Sequence, residues 1–397
     1  MHGPGIGSTI RRQRRLRGLS LEATAGLAGI SKSYLSRLER GERELDSLQL
    51  LTQLAGALGA SITDLIGKPY APHDWEHAEA QRAVMAVRLA LLAPDGPDPT
   101  WCNAEDSLEE QVTASWLFSR NCDMVGQARL IPYLLRGLHQ KVTTDPTPIV
   151  QKAFSLIAYD AAFLMRNLGE MDLAWIAATR MEQVSAELDD PRWRAMAAYT
   201  QAHSLYPVGA WAKAHEIAAS AAETTPVKLG QIESAAARGS CLLVGSFAAA
   251  CAGDLTSAQA QLHDAEEMAT FMTDRSAVAD RTSFSDWNVL MHRVAVEVEA
   301  GDPAAALAAA DRINPAQVPN RERLSYLWVD VARAFTRLDR DRDAIGAFQK
   351  AERAAPLRVH LSPVVRESVR QLLDDTHSRA TEVALRGLAE RCDVLSA

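Results

Sequence analysis

The chain has few cysteines, and they are scattered. The five, at positions 102, 122, 241, 251 and 392, form no CxxC pair and no cluster with histidine. This pattern argues against a zinc framework and predicts reduced thiols in a cytoplasmic protein with no metal and no cofactor. Long apolar runs are also missing. The longest, CLLVGSFAAACA at 241–252, is too short and too rich in small residues to cross a bilayer, so no membrane partner is expected. The arginine-rich N-terminus lacks the apolar stretch of a signal peptide. There is no HExxH, no glycine-rich phosphate loop, no GxSxG and no kinase motif set. The one acid-and-histidine fragment, HDAEE at 263–267, would spread over a solvated helix face. An enzyme is therefore not expected. From Trp75 onward no strand pattern stands out.

What is present falls into two parts. A chain of 397 residues with 47% hydrophobic residues can build two or three domains around a large core. Residues 1–68 hold 10 lysines and arginines against 6 acids, whereas residues 69–397 hold 32 against 44. A basic head on an acidic chain of net charge −8 is the electrostatic footprint of a protein that touches DNA at one end only.

The stretch at 18–41, GLSLEATAGLAGISKSYLSRLERG, reads as two short helices joined by a tight turn. Ser20 and Ser31 are placed to cap them, because a serine oxygen accepts the orphan N–H groups at a helix start. Gly29 lies where the turn needs positive φ. In the second helix Leu35 and Leu38 face inward. Lys32, Ser33, Ser36, Arg37 and Arg40 are left on a polar, basic face that suits a DNA major groove. Upstream, Ile6, Ile10 and Leu16 are apolar among five arginines. Downstream, Ser47 precedes a stripe of Leu48, Leu51, Leu54, Ala55 and Leu58, and Ser61 with Asp64 has capping-box spacing. Five helices are predicted in about 65 residues.

These residues resemble the Cro/repressor-type, or XRE, helix-turn-helix family, with LSRLERG at 35–41 as the most specific run. The resemblance implies that residues 31–39 form the recognition helix. Lys32, Ser33 and Arg37 would face base edges, Tyr34 and Ser36 would lie in the same contact surface, and Arg40 and Arg43 would touch phosphates. It implies an internal Arg14–Glu39 ion pair. The chain departs from the family at Leu21, where a phosphate-gripping glutamine is common, and at Thr24, where a core leucine is usual.

The division expected is a head at 1–67, a linker at 68–75 marked by Pro69 and Pro72, and a helical body at 76–397. Helices are predicted at about 75–93, 105–120, 124–140 and 148–168. Then a repeat begins, in which a turn residue is followed five positions later by alanine. It occurs as Gly169 with Ala174, Gly209 with Ala214, Gly253 with Ala258, Gly301 with Ala306, and Asp339 with Ala344. Such pairs bury their apolar faces only by stacking. The fold class predicted is all-α, a five-helix helix-turn-helix domain followed by a right-handed solenoid. The repeat resembles tetratricopeptide repeats, although its spacings of 40, 44, 48 and 38 residues exceed that family's period of about 34. DRTSFSD at 280–286 is read as one of the loops carrying the extra length. Helices at about 361–374 and 379–392 would cap the stack.

A superhelix of helical pairs has a concave face suited to a ligand. Candidates for its lining are polar and aromatic residues on first helices of pairs: Arg166, Asn167, Tyr199 and Gln201, then His203, Trp287, Asn288 and His292. The combination resembles peptide-pheromone-responsive, quorum-sensing regulators. That resemblance implies a homodimeric transcription regulator on an inverted-repeat operator in double-stranded DNA, with a short peptide or small signalling molecule as effector. The other reading is a DNA-bound scaffold whose body recruits a protein partner without any small effector.

Overall fold

The computed structural model describes residues 6–43, 45, 47–60, 65, 75–92, 108–227, 232–272, 281–375, 379–392 and 394. Among the described residues the regular structure is helical, with no strand.

The head is built from α1 (Ile6–Leu16), α2 (Leu21–Leu27), α3 (Lys32–Glu39) and α4 (Leu48–Leu58). Its serine caps form as expected. The Ser20 oxygen accepts from Ala23 N–H, Ser31 from Tyr34 N–H, and Ser47 from Gln49 and Leu50 N–H. Ile6, Ile10, Leu35, Leu38, Leu51, Leu54, Ala55, Leu58 and Leu65 form one core. Leu16 departs from the apolar pattern of α1 and lies 73% exposed at the end of that helix. Apart from Leu65, the expected fifth helix with its Ser61–Asp64 box lies outside the described residues, as does the Pro-marked segment at 66–74.

The body opens with α5 (Trp75–Leu92), α6 (Leu108–Arg120) and α7 (Met124–Thr144). Helical hairpins follow: α8 (Pro148–Asn167) with α9 (Met171–Ala186), α10 (Pro191–Leu205) with α11 (Trp211–Thr224), and α12 (Ile232–Ala252) with α13 (Leu255–Ala269). Next come α14 (Asp286–Ala300) with α15 (Pro303–Ala310), and α16 (Arg321–Thr336) with α17 (Asp341–Ala354). Helices α18 (Pro356–Leu361), α19 (Pro363–Asp375) and α20 (Arg379–Arg391) close the chain.

The repeat has a direct physical basis. All five turn residues, Gly169, Gly209, Gly253, Gly301 and Asp339, take positive φ, the conformation that ends a helix and is open to glycine without strain. The alanine five positions on is fully buried in every copy, at 174, 214, 258, 306 and 344. A methyl there lets the second helix lie directly on the first; a larger side chain would hold the two apart.

Helix α12 is long and apolar enough to cross a membrane by composition, but 83% of its apolar window is buried against neighbouring helices. Asp280 lies outside the described residues, and 281–286, expected as loop, is not a plain loop. Arg281 and Thr282 are helical, Ser283 turns the chain at φ 57°, and α14 begins at Asp286. Arg281 is buried and bonds both oxygens of Asp160 at 2.5 and 2.6 Å, so the segment is locked into the core of α8.

Head and body touch through α4. Leu48 N–H donates to Glu299 of α14 at 3.2 Å, and the indole of Trp211 on α11 donates to the Thr52 hydroxyl. Glycine suits position 253 through its backbone conformation, and a side chain there would press on the movable amide of Gln49. Its φ is +88°, and a Cβ would come within 2.3 Å of Gln49 in the head.

Candidate nucleic-acid interface and effector groove

The recognition surface is assembled by the caps of α2 and α3 and by the turn at Gly29, φ 67°. Leu35, Leu38 and Glu39 are buried, which turns the other face of α3 outward, with Lys32, Ser33, Arg37 and the C-cap Arg40 exposed and Tyr34 and Ser36 half-buried. Arg43 lies over the Tyr34 ring, 5.3 Å from its centroid. The surface pairs Lys32–Glu22 and Arg40–Glu42 are open to water and can exchange for phosphate at little cost. Helix α3 is held from behind by Arg14, whose guanidinium grips Glu39 at 2.6 and 2.8 Å and reaches the Leu19 carbonyl at 2.9 Å. The hydrogen bond to Glu39 raises the Arg14 pKa more than burial lowers it, so the guanidinium keeps its charge. Thr24 is fully buried and its hydroxyl has no partner, which weakens the head core at the position where leucine is usual in the resembling family.

The inner face of the body carries a groove of about 320 Å³. Residues of the first helices line most of it, joined by Met171 and Trp211 from second helices. Of the residues expected there, Arg166, Asn167, His203 and His292 do so. Tyr199 does not; its ring is buried among Tyr159, Phe163 and His203, and its hydroxyl accepts from Arg323. Asn288 is buried beside the N-terminus of α14, Trp287 packs on the second hydrophobic cluster of the body, and Gln201 lies elsewhere on α10. The eight candidates were chosen as polar or aromatic residues of first helices, whereas each helix also turns a face to its neighbours in the stack.

The groove holds residues that sequence reasoning missed. Tyr206, Trp211 and Phe247 form an aromatic wall, with ring centroids 5.1 to 6.0 Å apart. Arg323, Tyr326, Asp330 and Arg333 come from one face of α16 at helical spacing, a signal present in RERLSYLWVDVAR, and Arg358 comes from α18. Leu48 of the head completes the lining. No pattern in the sequence joins positions 48 and 333.

Both histidines are neutral. Burial, reinforced by Arg166, Arg323 and His292, holds His203 well below its ordinary value. Burial and Arg323 pull His292 down to about 4. Arg166 donates to His203 Nδ1 at 3.2 Å, which places the ring proton on Nε2. His292 Nδ1 donates to the Asn288 carbonyl at 2.9 Å, which leaves its Nε2 as an acceptor. Burial raises Asp330 despite the opposing effect of Arg333. The chemistry available is recognition by charge, hydrogen bonds and apolar contact. Among the described residues no group of histidine, cysteine and acids is placed to hold a metal.

Known proteins match at the head. The model of the helix-turn-helix domain matches residues 6–65. The HTH-type transcriptional regulator SlrR of Bacillus subtilis is 40% identical over 60 residues, which is 15% of this chain and 40% of SlrR. The HTH-type transcriptional regulator y4dJ of Sinorhizobium fredii is 43% identical over 61 residues, 15% of this chain and 78% of y4dJ. The chain has a distant likeness to the solved structure of ComR from S. thermophilus in complex with DNA and its signalling peptide ComS. That match has 13% identity and a TM-score of 0.35, over 89% of this chain and 99% of ComR. The sequence relatives are regulators, not enzymes, and the polar, basic face of α3 is free to meet DNA. The chain belongs to the HTH-type transcriptional regulators, with an XRE-type DNA-binding head.

Proposed function

We propose that this DNA-binding regulator senses an effector in the groove of its repeat body and acts as a homodimer in the cytoplasm. Its heads would read two half-sites of an inverted-repeat operator one or a few helical turns apart. The division proposed is head 1–67, linker 68–75 and tetratricopeptide-like body 76–397. The effector would be a short peptide or a small signalling molecule of the quorum-sensing kind.

The observation that carries the reading is the make-up of the groove. It is large enough for a small ligand, it turns arginine and asparagine side chains inward, and one of its walls is Leu48 of the DNA-binding head. Inward polar groups favour a sensor over a scaffold, which needs only an apolar surface. A ligand touching both Leu48 and the body would interact differently with docked and displaced heads, and that difference is the requirement for a switch.

A DNA selection with the full-length protein, followed by operator titration with and without a low-molecular-weight extract of the source cells, tests it. Enrichment of an inverted repeat, with an affinity that the extract shifts, is the expected result. Enrichment of isolated half-sites would end the dimeric reading. An affinity unmoved by the extract in wild type and in Ala295→Trp, which fills the groove, would end the sensor reading.

A further inference from the structure

We infer that the groove is built for a compact apolar molecule carrying one anionic group, held by Arg358 and Arg166 at the Tyr326 end. The inference rests on the sensor reading above and names the chemistry of its ligand.

Charge is the first ground. Four guanidinium groups line the groove against one lining carboxylate, Asp330. Two further acids are already engaged. Glu322 pairs with Arg166 at 3.5 Å, and Glu299 pairs with Arg333 at 2.6 Å. Arg333 also takes Asp330 at 3.2 Å. With both histidines neutral, one positive charge is left over. Arg323 is satisfied by neutral oxygens, the Tyr199 hydroxyl at 2.5 Å and the Thr282 carbonyl at 3.2 Å. Arg358 is 6% exposed, and its Nε has no hydrogen-bond partner. Its guanidinium rests on the Tyr326 ring, 3.5 Å from the centroid. Asp330 acts on this cation only through space while its own hydrogen-bonded partner is Arg333, so the buried Arg358 Nε still lacks a hydrogen-bonded anion.

Hydrogen bonding is the second ground. The lining residues with unpartnered buried side-chain atoms are Arg358, at Nε, and His203, at Nε2. With the tautomer assigned above, both atoms are donors. Arg166 lies 5.7 Å from the centroid of the same tyrosine, donates to its hydroxyl, and also rests over the Phe163 ring at 4.6 Å. One ring thus gathers two guanidinium groups, so a carboxylate or related anion accepting from the Arg358 Nε would also meet the charge of Arg166, which already donates to His203, Asn167, Glu322 and Tyr326.

The rest of the groove sets the remainder of the molecule. Tyr206, Trp211, Phe247 and Met291 offer aromatic and thioether surface, and Leu48 offers an aliphatic edge from the head. Such a wall favours a flat or flexible apolar body. About 320 Å³ limits its size to that of a small ligand or a few side chains.

Two dyes with the same aromatic body test this on the full-length protein. One is 1-anilinonaphthalene-8-sulfonate, which is anionic; the other is N-phenyl-1-naphthylamine, which is neutral. Wild type should bind the anionic dye about tenfold more tightly. Arg358→Gln should abolish that preference, and Ala295→Trp should weaken both dyes. Should Arg358→Gln lose its cooperative melt, Arg166→Gln takes its place. Equal affinity for the two dyes in wild type, or a preference kept in the arginine variant, overturns the anionic assignment while leaving the groove as a ligand site. Undiminished binding of both dyes to Ala295→Trp overturns the groove itself. Competition then separates the sources of the anion. Displacement by decanoate but not decanol marks a small organic acid. Displacement by an apolar tetrapeptide with a free C-terminal carboxylate, but not by its amide, marks a peptide end. Displacement by neither overturns the assignment.

Discussion

Trp211 of the body donates its indole N–H to the hydroxyl of Thr52 in the head, and the same indole forms part of the groove wall. Thr52 passes the contact on, donating to the Leu48 carbonyl at 2.8 Å. The DNA-binding domain and the groove therefore share one side chain. Trp211→Phe keeps most of the apolar wall and removes the donor. The expected cost to head docking is about 1 kcal/mol, read as faster amide hydrogen exchange in α4 with the core of α12 unchanged. Unchanged exchange in α4 would mean that Leu48 and Gln49 hold the head without this bond.

The Arg14–Glu39 pair makes a second expectation. It is bidentate, and Glu39 is 7% exposed. Glu39→Ala leaves a guanidinium in a nearly closed site with only the Leu19 carbonyl as partner. Breaking such a pair costs about 3–5 kcal/mol, enough to unfold a small domain. Urea denaturation of the full-length protein should show an early transition belonging to the head. A single unshifted transition would make the pair ornamental.

These two contacts also show what the sequence carried and what it did not. Arg14 and Glu39 are 25 residues apart, inside one compact motif whose caps, turn and apolar stripe are all local; those local signals carried the resemblance, and the resemblance alone implied the pair. The solenoid was legible for the same reason, since positive φ at Gly169 and burial at Ala174 are consequences of one turn. Trp211 and Thr52 are 159 residues apart and belong to different units. No periodicity reports a contact between folded surfaces. The groove lies between these cases. Arg166 and His203 were visible as polar residues on first helices, whereas Tyr199 was expected beside them and is instead in the core, bonded to Arg323. Helix rotation decides between the two faces, and stacking of neighbouring hairpins sets that rotation.

The head offers a contrast between reading and holding DNA. Arg37 is exposed on α3 with no ion pair among the described residues, and Arg43 lies beyond the helix against Tyr34. Arg37→Ala should cost about 1–3 kcal/mol at the preferred operator and relax preference at one base pair. Arg43→Ala should weaken all sequences alike and lower the salt slope by about one counterion. Both are measured by titration against operator and scrambled DNA at several salt concentrations. Equal loss of preference in the two variants would reverse the assignment of roles.

The neutral histidines make stability depend on pH in a stated direction. His292 titrates at about 4 in the folded chain, chiefly through burial, against an ordinary value of about 6.5 when unfolded. Between those values the unfolded chain binds a proton that the folded chain does not. Stability is therefore full above pH 6.5 and falls as the pH drops towards 4, by at most about 3 kcal/mol from this group. His203 is shifted in the same direction, chiefly by burial and in part by His292 itself, so it deepens the acid loss. His292→Gln keeps a donor for the Asn288 carbonyl and cannot titrate. Denaturant midpoints at pH 7 and pH 5 should separate strongly in wild type and less in the variant. The groove charge explains why the effect is concentrated here. A protonated His292 would add a cation beside Arg323 in a site that already holds one positive charge too many, and an anion bound there would raise the histidine pKa and soften the acid sensitivity. If the separation is the same in both proteins, the acid loss arises at carboxylates elsewhere in the chain and His292 does not contribute to it.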